Sequence, residues 1–265
     1  MLTDQLAPEK LDPRHKQVVT DKTDCRELVL KLDRYLNGNT RAMSVVRVPS
    51  VPEEARRALT RQREQLRRER QRLAAQGRSL SLTQGFRLRG EWWSQSLCLP
   101  DWLQARLEVW RQLILALEQQ LNSLTKEVEA LAPKMRPKGL GPLTLGTLNA
   151  ELCDWSRFHN AKQVGGYTGL CGGVSSSGPS YCERSITKAG NPRIRWLLVE
   201  LAWRMVLYQP QSRAVQRWRH LLLNARASLR QRKRAIIALA RQLAVELWRW
   251  QTGRATPQQL GWTMI

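Results

Sequence analysis

Apolar residues in this chain recur mostly at helical intervals. The longest such run is Leu103, Leu107, Trp110, Ile114, Leu117, Leu121, Leu124, Val128 and Leu131, a 4-3 alternation without a miss. Four heptads of that spacing draw one stripe down a helix, which is the signature of a coiled-coil seam; one helix of a compact bundle is the alternative. Upstream, a helix from Pro52 to about Leu80 carries Leu59, Leu66, Leu73 and Leu80 seven apart. Gln62, Glu69 and Gln76 stand where the second apolar residue of each heptad would fall. Together the two helices predict an antiparallel hairpin or a pairing with another subunit, and the unequal seams favour additional partners.

The flanks read differently. The first 50 residues are polar and proline-broken, with one short helix expected from Asp24 to about Leu36, stopped by Asn37-Gly38-Asn39, and a short strand at Ser44–Val48. After Pro133 and Pro137, Gly139-Leu140-Gly141-Pro142 precedes an apolar helix running into Glu151. A Gly-x-Gly between helices fits a helix-hairpin-helix turn, whose free N–H groups hold a phosphate, and equally an ordinary interhelical turn. A glycine- and serine-rich loop from Gly165 to Ser180 follows, and helices resume over Arg193–Tyr208, Ser212–Arg230 and Arg232–Trp250. The fold class expected is mainly α.

Charge narrows the function. The 265 residues hold 44 Lys and Arg against 22 Asp and Glu, a formal net charge of +22. Such an excess points to a polyanion partner, nucleic acid or an anionic membrane surface. Between Arg184 and Arg241 there are fourteen Arg or Lys and one acid, Glu200. Like charges four residues apart repel, so one-signed helices are better explained by a polyphosphate lying across them. Arg217, Arg219, Arg230 and Arg232 are the expected contacts there. At 42% hydrophobic the chain is too apolar for a disordered basic tail. No apolar leader follows Met1 and no run is long enough to span a bilayer, so a cytoplasmic, nucleoid-associated protein without a membrane partner is expected. Five cysteines (Cys25, Cys98, Cys153, Cys171 and Cys182) are irregularly spaced and predict reduced thiols, not a disulfide framework or a zinc site.

Chemistry is sought where small residues let a phosphate approach and cations gather. Ser175, Ser176 and Ser177 are candidate nucleophiles, followed by Arg184, Lys188, Arg193 and Arg195. A serine hydroxyl needs a base or a strong field, and arginines supply the field by stabilising charge on nonbridging oxygens. No histidine lies nearby for a hydrolase triad, and Gly-x-Ser-x-Gly is absent. From composition alone, the stretch fits a surface loop as well.

A set of co-ordered motifs carries a resemblance. These are Gly139-Leu140-Gly141, Ala150-Glu151-Leu152-Cys153-Asp154, Arg157-Phe158, Tyr167-Thr168-Gly169-Leu170, Ser177-Gly178, Ile186-Thr187-Lys188-Ala189-Gly190-Asn191 and Arg195. Lys233-Arg234 through Arg241, closed by Leu247-Trp248, completes the set. From Lys138 onward the chain resembles the C-terminal domain of transposases of the IS110 family and its IS1111 branch, which are guided by a bridge RNA. The resemblance implies that Ser177 attacks DNA and forms a covalent phosphoserine. It also implies that Arg184, Lys188 and Arg195 face the DNA, and that Lys233 and Arg234 lie on the family's final helix. The family's N-terminal domain resembles the RuvC resolvase fold, with four acids that hold Mg²⁺. Lys22-Thr23-Asp24-Cys25-Arg26-Glu27 is similar to its third and fourth acids, making Asp24 and Glu27 the expected metal ligands; a helix cap fits the same residues. The strands bearing the first two acids are expected to be absent.

The organisation expected is a RuvC-like remnant over 1–51, a coiled-coil region over 52–136 and a serine-bearing transposase domain over 137–265. The function expected is a transposase that cleaves and rejoins DNA through Ser177, partnered by DNA, a structured guide RNA and further copies of itself. A non-catalytic nucleic-acid-binding remnant or regulator of transposition is the alternative.

Overall fold

The computed structural model describes residues 21–43, 47–177, 180–224 and 226–265, with the backbone alone at 174–177, 180, 181, 183 and 184. Two units divide at Val48 and Pro49. In the first, α1 (Asp21–Leu36) extends the expected helix by one turn, with Asp21 and Asp24 at its positive end. Its apolar Leu28, Val29, Leu32 and Leu36 are exposed. Most of the strand expected at Ser44–Val48 lies outside the described residues; 47 and 48 are irregular.

The second unit opens with two long helices, α2 (Val51–Thr83) and α3 (Asp101–Ala130). Ser50 and Glu53 form a capping box that starts α2, with Pro52 in the first turn, where a missing N–H costs nothing. The pair is antiparallel, as Arg63 meets Thr125 at 2.7 Å while Arg70 meets Glu118 at 2.9 Å. On α3, Leu107, Ile114, Leu121 and Val128 are buried, and the alternate set Trp110, Leu117, Leu124 and Leu131 is half-buried. The seam on α3 therefore works largely within the chain.

On α2 the inner face differs from the one expected. Leu59, Leu66, Leu73 and Leu80 are only half-buried, whereas Thr60, Ala74, Gly77 and Ser81 are buried. The reason is Trp92, which returns from the connection between the helices as part of a short 3-10 turn (Trp92–Ser94). Its indole N–H donates to the Ala74 carbonyl at 3.1 Å, and a Cβ on Gly77 would overlap its ring. Small residues make the slot that this ring fills.

Beyond α3 the chain forms a helical body from α4 (Pro142–Leu152), α5 (Ala161–Thr168), α6 (Pro192–Tyr208), α7 (Arg213–Leu222), α8 (Leu229–Gln251) and α9 (Pro257–Leu260). One apolar core joins them, with Leu145, Leu148, Ile194, Leu198, Leu239 and Leu243 at its centre. Buried Gln209 ties three segments: its amide N–H groups donate to the carbonyls of Lys138 and Thr263, and its oxygen accepts from the Thr263 N–H. The Gly139–Gly141 turn lies against Tyr208, and Gly141 caps α4.

Three local expectations change. The helix expected over 212–230 breaks after Leu222, because Ser228 and Gln231 form a capping box that starts α8 afresh. Gly165 and Gly166 belong to α5; Gly165 sits against the Arg241 side chain, where a Cβ would meet its Nε at 3.0 Å. The serine-rich stretch is an antiparallel hairpin of β1 (Gly172–Ser177) and β2 (Ser180–Ile186), with Ser177 paired to Ser180 and a register shift where residues 184 and 185 of β2 stand opposite Gly173 alone. Mainly α describes the molecule.

Candidate nucleic-acid interface

Along α8, residues spaced by three and four present Arg230, Lys233, Arg234, Arg241 and Arg249 to one side. With Arg217 and Trp218 of α7 and the hairpin base at Gly172, Ser185 and Ile186, they line an open cleft of about 1160 Å³. About 30 Å of α8 borders it, at 1.5 Å per residue. Its floor is apolar, with Leu170, Trp218, Ile237 and Val245, and among the described residues its one acid is Glu246. Burial pushes the Glu246 carboxyl above the usual carboxylate range, against the opposing pull of Gln242, Arg249 and Arg213. Six cations around one acid make a strongly positive groove.

The hairpin rises from this cleft. At roughly 3.4 Å per residue, Ser177 stands about 17 Å along β1 from Gly172, at the far end of the strand pair. Cys171, just before β1, and Thr187, just after β2, meet through the Thr187 N–H to the Cys171 carbonyl at 2.9 Å. Lys188 then donates its N–H to the Gly169 carbonyl at 3.1 Å, adopting φ +56°, a left-handed conformation unusual for a residue with a Cβ. Gly190, at φ +137°, packs so tightly on the Tyr167 carbonyl that no side chain would fit.

Asn191 turns this segment into α6. Its side-chain oxygen caps the helix, accepting from the N–H of Arg193 and of Ile194. Its amide N–H donates to Glu151 at 2.9 Å. Glu151 is 1% exposed. It also receives Arg193 at 3.1 Å and both Nε and Nη2 of Arg61 from α2, at 3.3 and 3.4 Å. Burial opposes its charge, yet Arg61, Asn191 and Arg193 together hold its carboxyl below the usual range.

The residues singled out in the sequence thus fall into distinct places. Arg217, Arg230, Lys233 and Arg234 come together in the cleft. Arg219 is exposed at the end of α7, outside the cleft lining, and Arg232 donates to the Asn224 carbonyl. Arg193 is bound to Glu151. Arg195 donates to the carbonyls of Lys188 and Thr168, bracing the loop. Lys188 is exposed on that loop, and Arg184 lies within β2. Asp24 and Glu27 are exposed one turn apart on α1, with Glu27 paired to Lys31 at 3.2 Å.

Among the described residues no three of His, Cys, Asp and Glu gather as a metal would require. Two exposed carboxylates, one already engaged by a lysine, do not by themselves fit a paired-metal centre. Among the described residues, no helix is long and apolar enough to cross a membrane.

Sequence reasoning missed Arg241 and Arg249, which a helical projection of 229–251 places beside Arg230 and Arg234. It also missed the pairing of Arg61 with Glu151; 90 residues separate them, and no local pattern announces it.

Residues 135–217 match the transposase family described as IS116/IS110/IS902. A protein of Sinorhizobium fredii (strain NBRC 101917 / NGR234) named "Putative transposase y4rJ" is 30% identical over 275 positions, which cover 92% of this chain and 69% of that protein. The transposase for insertion sequence element IS1111A of Coxiella burnetii (strain RSA 493 / Nine Mile phase I) is 30% identical over 139 positions, 52% of this chain and 37% of the relative. With the resemblance extending along nearly its whole length, this chain belongs to the IS110/IS1111 family of transposases.

Proposed function

We propose that this chain binds DNA in the α7–α8 cleft and cuts and rejoins a strand through Ser177, carried on the hairpin that rises beside it. The observation that supports this most is the junction of the two features: the base of the serine-bearing hairpin is itself a wall of the cleft that gathers six arginines and lysines. In the proposed step the Ser177 oxygen bonds to phosphorus and one bridging P–O bond breaks. The hydroxyl proton is lost and the departing oxygen gains one. The phosphoserine conserves the energy of the phosphodiester, so rejoining is the same step reversed. Cations along the cleft favour the extra charge on the nonbridging oxygens. A structured guide RNA, and pairing between copies through α3, whose Trp102, Val109 and Leu113 are exposed, belong to the same proposal.

The test uses the protein assembled with the DNA ends of its element, its guide RNA and Mg²⁺. A protein–DNA adduct that survives denaturation is expected from the wild type and from Ser175→Ala, and is lost in Ser177→Ala with DNA binding retained. Equal adduct from wild type and Ser177→Ala would refute the assignment.

A further inference from the structure

We propose that the Arg61–Glu151 pair couples the α2–α3 arm to the serine-bearing hairpin, so that a shift of the arm moves Ser177. The link is continuous. Arg61 on α2 grips Glu151 on α4 through two N–H groups. Glu151 holds Asn191 and Arg193 at the start of α6. Asn191 follows the segment 187–190, whose N–H groups fasten to the carbonyls of Cys171 and Gly169, at the root of both strands. Arg195 closes the assembly by bonding to the Lys188 and Thr168 carbonyls.

Each joint is stiff for a physical reason. Glu151 is excluded from water, so its charge depends on these three donors and cannot be satisfied by solvent if one withdraws. Gly190 is wedged against the Tyr167 backbone, and a Cβ on Gly169 would lie 2.6 Å from the Ala189 carbonyl. The hairpin then acts as a lever. With Ser177 about 17 Å from the base, a tilt of about 5° there moves the serine by roughly 1.5 Å. A misplacement of about 1 Å costs a reacting group on the order of 100-fold in rate.

Arg61 is the joint that can be opened without emptying the core, because its side chain is 39% exposed while that of Glu151 is fully enclosed. Glu54 also lies 4.0 Å from the Arg61 guanidinium, on the solvent side. Glu54, which also pairs with Arg57 at 2.9 Å, therefore offers Arg61 a second partner on its own helix, while Glu151 on release keeps only Asn191 and Arg193. Arg61 and Glu151 act through the hairpin and do not touch the reacting atoms; they are positioning residues.

Two measurements on Arg61→Gln decide the matter. Amide hydrogen exchange on the free protein reads the coupling without any reaction. Exchange at Thr187, Lys188 and the first turn of α6 should quicken at least several-fold, while the amides of Leu239 and Leu243 in α8 keep their wild-type rates. Unchanged exchange over 187–194 would overturn the coupling. The second measurement, the rate of Ser177–DNA adduct formation, rests on the function proposed above. It should fall about 10- to 100-fold with DNA affinity retained, and Arg61→Lys should recover part of it. Quickened exchange with an undiminished adduct rate would overturn the positioning role. Quickened exchange with no adduct even from the wild type would support the coupling and overturn the serine assignment instead, so the two failures are distinguishable.

Discussion

Two buried glutamates show how differently one residue type behaves by environment. Glu151 has three donors and is held charged; Glu246 has Gln242 at 3.0 Å, and burial favours its neutral form. For Glu246 the folded pKa lies above the unfolded one. Its contribution is full below the unfolded pKa and is lost as pH rises through the folded value. Glu246→Gln, which keeps a neutral side chain of the same size, should therefore gain thermal stability relative to wild type as pH rises from 4 to 8. Each kcal/mol moves the melting temperature by roughly 2–4 °C in a protein of this size, so differential scanning across that range reads the effect. A pH-independent difference would show that folding does not shift the Glu246 carboxyl. In the sequence Glu151 stands out within a motif, but nothing local tells that it is buried, since its donors come from α2 and α6. Glu246 offers no signal at all beside the many cations of its helix.

At the scale of elements, the 4-3 spacing on α3 announced both its helix and its buried stripe. The matching face of α2 was hidden because its partner is partly a tryptophan from the connection, not a leucine from the opposing helix. A consequence can be measured. Gly77→Ala would ordinarily gain up to about 1 kcal/mol in a helix, yet here the new Cβ overlaps the Trp92 ring and the change should destabilise. In a Trp92→Ala background, itself costing about 3–5 kcal/mol, the same substitution should become neutral or stabilising. Thermal unfolding of the four proteins tests this reversal of sign. If Gly77→Ala had one effect in both backgrounds, Trp92 would not occupy the slot. The hairpin was likewise obscured, because Gly and Ser dominate β1 and have weak strand preference. Backbone pairing with β2, not side-chain pattern, makes it a strand.

For the whole molecule, the net charge of +22 matters less than where it collects. Changing Arg230, Lys233 and Arg234 together to glutamine should lower the slope of log affinity against log salt on duplex DNA by about 2.7, at roughly 0.9 per phosphate contact. Changing Arg87, Arg89 and Arg106, which are exposed and outside the cleft lining, removes the same total charge and should leave the slope nearly intact. Equal losses from the two triples would mean that DNA is held by overall charge and not by the cleft. The exposed Arg219 should contribute less than Arg217, which one-signed charge along the chain could not distinguish.

The sequence by itself determined the helical class, the apolar stripe of α3, the large net positive charge and, through its ordered motifs, the family. Those properties follow from periodicity, summed charge and residue spacing, all of which are local or additive. Only the tertiary structure decided which arginines face a cleft and which are spent inside the fold. Arg193 and Arg195 lie in the same basic run as Arg217 and Arg230, yet they bond to Glu151 and to backbone carbonyls. A buried acid or an unpaired carbonyl captures whichever cation packing brings within reach. That choice depends on contacts such as the one from Arg61 to Glu151, between residues far apart in the chain and brought together only by the fold.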